Sequence, residues 1–323
     1  MKPQTTTAVV PSRAKKRRSF LSRHPRLKWI VYTLYGLAFV PLLIATLPLY
    51  ILPKRWVYTL GAVVARGCVA PAIRSKVARN LQHAYGARIT PRRIVALTTK
   101  VACNVVWSAI DCYYLWVWWW TFRIDRTVVA VLCEEETRAA LAAGTGVIVA
   151  TAHYNCFEIM PVYFSRTLVR TGGVIARSFP SPFLNWLYRR ARLLHDVPSF
   201  YDEIKGVIKA LRLNGVVGIL PDLHARKRLA LPATFYGRPT LTFDIHVRVG
   251  GRLQCPIIPA FLQRHKRQPW RYTLVFYQPI HVPRDADEQT IRAITQRIND
   301  IFEYHVRRWP SGWIWFHNKW ALW

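Results

Sequence analysis

Residues 29–52 contain no charged side chain, whereas Lys28 precedes them and Lys54 and Arg55 follow. About 20 apolar residues suffice to cross the hydrocarbon core of a bilayer as a helix. A signal peptide fits poorly, because the run is too long and no small-residue cleavage site follows it. Trp29, Tyr32, Tyr35 and Tyr50 lie toward its two ends, where aromatic belts are expected. Pro41 and Pro48 would kink a straight helix, and basic residues at both ends leave the orientation open. The pattern therefore predicts a transmembrane or re-entrant anchor over 29–52, behind a basic tail over 1–28. A core helix of a soluble protein is the bland alternative.

Beyond the anchor, 56–120 reads as helical. Thr90 and Pro91 form a cap followed by Pro at the first helical position, and Ile94, Leu97, Val101 and Val105 recur on one face. The aromatic cluster of Tyr113, Tyr114, Trp116, Trp118, Trp119 and Trp120 fits an interface belt or a packed satellite core equally well. From residue 140 short β-branched runs appear at 146–151, 173–176, 216–220, 256–262 and 272–277, separated by helical stretches near 156–170, 182–194 and 202–213. Strands alternating with helices predict an α/β fold, a mixed sheet flanked by helices. A final stripe of Ile291, Ile294, Ile298, Ile301, Phe302 and His305 predicts a helix that Pro310 ends. With no repeat or linker, 53–323 reads as one domain: helical over 56–120, α/β over 140–323.

Charge changes the picture. Lys and Arg number 47 against 16 Asp and Glu in 323 residues, a net charge of +31, and 52% of residues are hydrophobic. High hydrophobicity excludes intrinsic disorder, and the combination favours an anionic surface over life as a freely soluble enzyme. Nine basic residues lie in 1–28, so the body keeps a charge near +22. The six cysteines are scattered with no C-x-x-C pair, which suits reduced thiols in a cytosol-facing protein.

Among chemical motifs, G-x-S-x-G, H-E-x-x-H, the P-loop and G-x-G-x-x-G are all missing from the sequence. What stands out is Ala150-Thr151-Ala152-His153-Tyr154-Asn155-Cys156-Phe157-Glu158, directly after Val147-Ile148-Val149. A histidine at the carboxyl end of a buried strand lies where open α/β sheets place their active sites. A turn between His153 and Glu158 would fold the carboxylate toward the imidazole, making a general base. The alternative is a capping box with Asn155 as N-cap and Glu158 at the third position.

Further blocks follow in order: Val174-Ile175-Ala176-Arg177, Gly218-Ile219-Leu220-Pro221-Asp222 and Pro256-Ile257-Ile258-Pro259. With H-x-x-x-x-E they resemble the four blocks of the glycerolipid acyltransferase superfamily. Arg79-Asn80-Leu81, Pro182-Phe183-Leu184-Asn185-Trp186-Leu187, Phe235-Tyr236-Gly237-Arg238-Pro239 and the closing Trp313-Ile314-Trp315-Phe316-His317 with Lys319-Trp320 resemble its lipid A biosynthesis (lauroyl/myristoyl) acyltransferase branch. The resemblance runs from about residue 70 to the C-terminus. It implies His153 as catalytic base, Glu158 as its catalytic partner, and Arg177 and Asp222 as substrate-binding residues. The chain departs from the pattern at Leu223-His224-Ala225-Arg226, and at Ser181 and Asn185. Those departures bear on the acceptor more than on the chemistry.

The resemblance implies a membrane-bound O-acyltransferase that moves a fatty acyl chain from an acyl thioester to a hydroxyl of a lipid A precursor, at the inner membrane with its catalytic domain facing the cytoplasm. The expected partners are an acyl carrier protein or coenzyme A thioester, an anionic glycolipid acceptor and the membrane; no cofactor, metal or specific nucleic acid is expected. A thioester is already activated, so a base, oxyanion donors and positioning are enough. Basic clusters such as Arg189-Arg190-Arg192 and Arg226-Lys227-Arg228 could meet the acidic partners or form solvated faces. The alternatives are the same chemistry on a lysophospholipid, another glycolipid or a specialised hydroxylated lipid, and, more distantly, a basic nonenzymatic nucleic-acid-binding protein.

Overall fold

The computed structural model describes residues 34, 37, 40, 41, 44, 46–168, 172–176, 182–201, 204–225 and 230–320. The chain divides into two units, Met1–Pro48 and Leu49–Trp323. In the first, the described positions are helical, and Leu34, Leu37, Val40, Ile44 and Leu47 are exposed. The basic tail and half of the expected anchor lie outside the described residues.

The second unit begins with helices, as the 3.6-residue periodicity predicts. Helix α1 (Lys54–Val64) runs through a π turn (Ala65–Val69) into α2 (Ala70–Tyr85). Gly86, at φ 58°, caps α2 in a conformation that glycine adopts without steric cost. Thr90 Oγ1 accepts from the Arg93 N–H at 3.3 Å and starts α3 (Pro91–Val117), with Pro91 at its first position. By length and composition Lys54–Arg88 and Pro91–Val117 could each cross a membrane, which is weak evidence for membrane association. The aromatic cluster divides. Tyr114 is buried and donates to Leu49 O at 2.6 Å, Trp118 stacks on Tyr50, and Trp120 stands exposed.

The α/β part contains β1 (Val128–Leu132), α4 (Glu135–Ala142), β2 (Val147–Ala150), α5 (Ile159–Thr167), β3 (Gly172–Ala176), α6 (Pro182–Leu193), β4 (Ser199–Tyr201), α7 (Ile204–Arg212) and β5 (Val216–Ile219). It continues with β6 (Ala230–Phe235), β7 (Arg238–Phe243), α8 (Ile245–Leu253), β8 (Ile257–Arg264), β9 (Tyr272–Phe276) and α9 (Glu288–Arg308). Among the described residues one seven-stranded sheet has the order β1-β9-β8-β2-β5-β3-β4, and only the β8–β9 pair is antiparallel. The sheet is mixed and flanked by helices. Strand β2 sits in its middle with all four residues buried, as a strand covered on both faces should be.

The period of two sorts its side chains into two cores. Ile148 and Ala150 join Leu81, Leu97, Leu211, Phe261 and Phe302 on one face. Val147 and Val149 join Ile159, Phe164, Leu262 and Phe276 on the other. A separate hairpin, β6–β7, turns at Tyr236 and Gly237, both at positive φ, the conformation a tight two-residue loop requires. Helix α9 starts at Asp287, whose Oδ1 accepts from the Thr290 N–H at 2.8 Å, and buries Ile291, Ile298, Phe302 and His305.

Candidate active site

The site follows from register. In the parallel pair β2–β5, Ala150 lies opposite Ile219. His153 and Asp222 each stand three residues beyond those partners, so both loops leave the sheet at the same carboxyl edge and their side chains meet. His153 Nδ1 lies 2.8 Å from Asp222 Oδ1, and the His153 backbone N–H donates to Asp222 Oδ2 at 2.9 Å. The Trp313 indole N–H donates to the same Oδ2 at 2.9 Å. Burial alone would raise the Asp222 pKa, but the His153 charge and these three hydrogen bonds outweigh it and hold the carboxyl below its usual range. An ionised carboxylate can only accept, so in the neutral form of the ring Nδ1 carries the proton and Nε2 keeps its lone pair. The imidazole is 28% exposed and the carboxylate 2%, so the ring reaches solvent while its anchor does not.

A C-terminal segment closes the back of the pair. Tyr154 bridges Trp313, and the Asn155 N–H donates to Gly312 O at 2.8 Å. A Cβ on residue 312 would collide with the Tyr154 ring, so glycine is needed there. The Asn80 amide on α2 donates to the carbonyls of Trp315, at 2.5 Å, and His317, at 2.8 Å. The His317 ring lies near-parallel to that of His153, with centroids 6.1 Å apart. Burial, then the His153 charge, lower the His317 pKa, with Asp222 pulling the other way. Lys319 is wholly enclosed, over the Phe235 ring and 3.4 Å from Thr242 Oγ1. Burial drops its pKa to about 8, against the upward pull of Asp222.

Glu158 is placed differently from the expectation that it holds the imidazole. Its two oxygens receive Arg192 Nη2 at 2.6 Å and Nε at 3.0 Å, a side-on fork from α6. Arg192 also donates to Ser199 Oγ at 3.1 Å. The reason is the path of the loop. Asn155 takes a left-handed backbone, φ 47°, and ties its amide to Leu262 O at 2.8 Å, which carries the following residues toward α6. Nor is there a capping box: α5 starts one turn later than such a box needs, with Glu158 itself at the N-cap and no side-chain cap bond. Asp222, expected to bind substrate, is hydrogen-bonded to His153 and Trp313. Arg177 and the cluster of Arg226, Lys227 and Arg228 lie outside the described residues.

Sequence reasoning singled out both His153 and Asp222 but did not pair them, and did not place Arg192, Trp313 and His317 beside them. One signal was available: His153 and Asp222 each stand two residues past a β-branched run, 146–151 and 216–220. Among the described residues no group of three His, Cys, Asp or Glu side chains is placed to hold a metal ion.

A histidine oriented by a carboxylate, at the carboxyl edge of two parallel strands, is an arrangement open to many α/β proteins. The comparison with protein families makes the class particular: the chain belongs to the bacterial lipid A biosynthesis acyltransferase family, whose model matches residues 22–321. It is therefore an acyltransferase, and the match takes in the whole apolar segment over 29–52 as well as the α/β body. Among solved structures the chain is similar to the 1-acyl-sn-glycerophosphate acyltransferase PlsC of Thermotoga maritima, with 13% identity, a TM-score of 0.37, and coverage of 81% of this chain and 100% of that one. No curated protein matches the chain in sequence.

Proposed function

We propose that the protein transfers a fatty acyl chain from an acyl thioester, carried by acyl carrier protein or coenzyme A, to a hydroxyl of a lipid A precursor. The catalytic residue is His153, and Asp222 is its positioning residue. His153 Nε2 takes the hydroxyl proton as the oxygen attacks the thioester carbonyl. The carbon–sulfur bond then breaks, the ester forms, and the proton passes from the imidazolium to the departing thiolate. The observation that carries this reading is the 2.8 Å contact between His153 Nδ1 and a buried carboxylate, which leaves the outer nitrogen free to act. Glu158 shapes the loop through Arg192. Arg177, the next residue in the sequence after β3, is proposed to grip an anionic group of the acceptor. The reaction takes place at the cytoplasmic side of the inner membrane.

Mass spectrometry of lipid A from cells lacking the gene tests this. We expect the deletion to remove one acyl chain from lipid A, the wild-type gene to restore it, and the gene carrying His153→Ala not to. Restoration by His153→Ala would remove the base. An unchanged lipid A beside an altered phospholipid or glycolipid would show that the acceptor is wrong.

A further inference from the structure

A second concave site lies on the other side of the wall that backs His153. It is a cavity of about 480 Å³ between the π turn after α1, the first half of α3, the end of β8 and the segment after α9. That size falls within the range of about 300–1,000 Å³ typical of small-ligand sites. Five cationic side chains line it: Arg66, Arg93, Lys100, Lys266 and Arg308. All five are exposed, and none is ion-paired among the described residues. A sixth, Arg264, is buried and neutralised by Asp111, with Nη2 2.8 Å from Oδ2. No Asp or Glu lines the cavity.

A basic protein has many solvated basic faces, but these cations converge on one hollow. Like charges around a low-dielectric concavity focus a positive potential into it, and the arrangement is relieved by an anion. The walls are fixed. Asn104 donates to Ser311 O at 2.9 Å, and Asn155 ties the floor to Leu262 and Gly312. Guanidinium groups from three elements suit the tetrahedral oxygens of a phosphate. The surroundings add a second requirement. Arg66 follows directly on the exposed apolar face of α1, formed by Trp56, Leu60, Val63 and Val64, and exposed Val95 neighbours Arg93. A ligand that places a phosphate in the cavity and acyl chains along α1 satisfies both. We propose that the cavity is an anion site for the phosphate of a lipid headgroup, separate from the His153–Asp222 pair and independent of the reaction assigned to that pair.

The test is calorimetric titration of the full-length protein in neutral detergent with dihexanoyl phosphatidic acid, and in parallel with inorganic phosphate. The wild type should bind the lipid saturably. Arg93→Gln with Lys266→Gln should weaken binding at least about tenfold, as expected for loss of two charge-assisted hydrogen bonds, while Lys205→Gln with Lys209→Gln on α7 leaves it unchanged. If the first pair fails to fold, Lys100→Gln with Arg308→Gln should give the same weakening. Absence of saturable binding, equal affinity in all variants, or equal loss from the α7 pair would overturn the site. Inorganic phosphate binding as tightly as the lipid would overturn the headgroup assignment. Because no acyl donor is present, the result stands whether or not His153→Ala abolishes transfer.

Discussion

Asp222 and Glu158 are both buried carboxylates bound to a basic side chain, yet they differ in what they leave behind. Asp222 holds an imidazole that is partly open to solvent. Glu158 holds a guanidinium that stays charged at any physiological pH, enclosed between α5 and α6. The first arrangement leaves a nitrogen able to accept a proton. The second satisfies every charge it contains and leaves nothing to react. A carboxylate near a strand-end histidine is therefore no guide to chemistry until the partner of each carboxylate is known.

The largest effect that could break this contrast is on rate. We expect His153→Ala to lower acyl transfer by roughly 10²–10⁴-fold, the usual contribution of a general base, with little change in melting temperature because the ring is partly exposed. Asp222→Asn should also impair transfer severely, since the neutral amide neither accepts as strongly nor stabilises the imidazolium. Initial rates of purified enzyme with a labelled thioester measure both. An Asp222→Asn enzyme at wild-type rate would make the two carboxylates equivalent and end the comparison.

Next comes stability. Glu158→Gln leaves the Arg192 guanidinium without its counter-charge in a buried setting, which typically costs about 3–5 kcal/mol. We expect a clearly lower denaturation midpoint, while the folded fraction keeps transfer activity within about tenfold of wild type, less than a lost general base would cost. Adding Arg192→Met should restore much of the stability by removing the stranded charge. If Glu158→Gln instead folds normally and loses activity as His153→Ala does, the carboxylate acts in catalysis.

How far the sequence showed this depends on the element. Strands β2, β3, β5, β8 and β9 are β-branched runs and were legible as such, as were the Thr90 cap and the stripe of α9. Strand β1 precedes the change of texture that marked the α/β region, and β4 is only three residues long. The β6–β7 hairpin carries Pro232 and Pro239, which argue against strands. Helix α8 contains Gly250 and Gly251, poor helix formers kept because a Cβ would crowd Ile257 and Val282. The partner of His153 was hidden for another reason. That β2 lies beside β5 is a fact of sheet order, and hydrophobic periodicity gives strands but not their neighbours. Local spacing therefore pointed to Glu158, while tertiary pairing selected Asp222.

The smallest expected effect separates the two donors that Asp222 Oδ2 shares. Trp313→Phe keeps most of the ring packing and removes the indole N–H, leaving the His153 backbone N–H on that oxygen. A hydrogen bond to a charged group contributes about 1.5–3 kcal/mol, so stability should fall by about that amount, together with a constant loss from the smaller ring. The two parts differ in pH dependence. Because the folded Asp222 carboxyl titrates below its usual value, the stability it contributes is fully present above the unfolded carboxylate pKa of about 3.9 and is lost as pH falls through the folded value. Removing the indole moves the folded value upward, toward the unfolded one. The gap between wild type and Trp313→Phe should thus be constant above about pH 5, narrow in more acid solution, and level off at the packing term alone. Urea denaturation across that range measures it. A gap that stays constant to the lowest pH at which the protein folds would mean that Trp313 only fills space, and that Asp222 is held by the His153 loop alone.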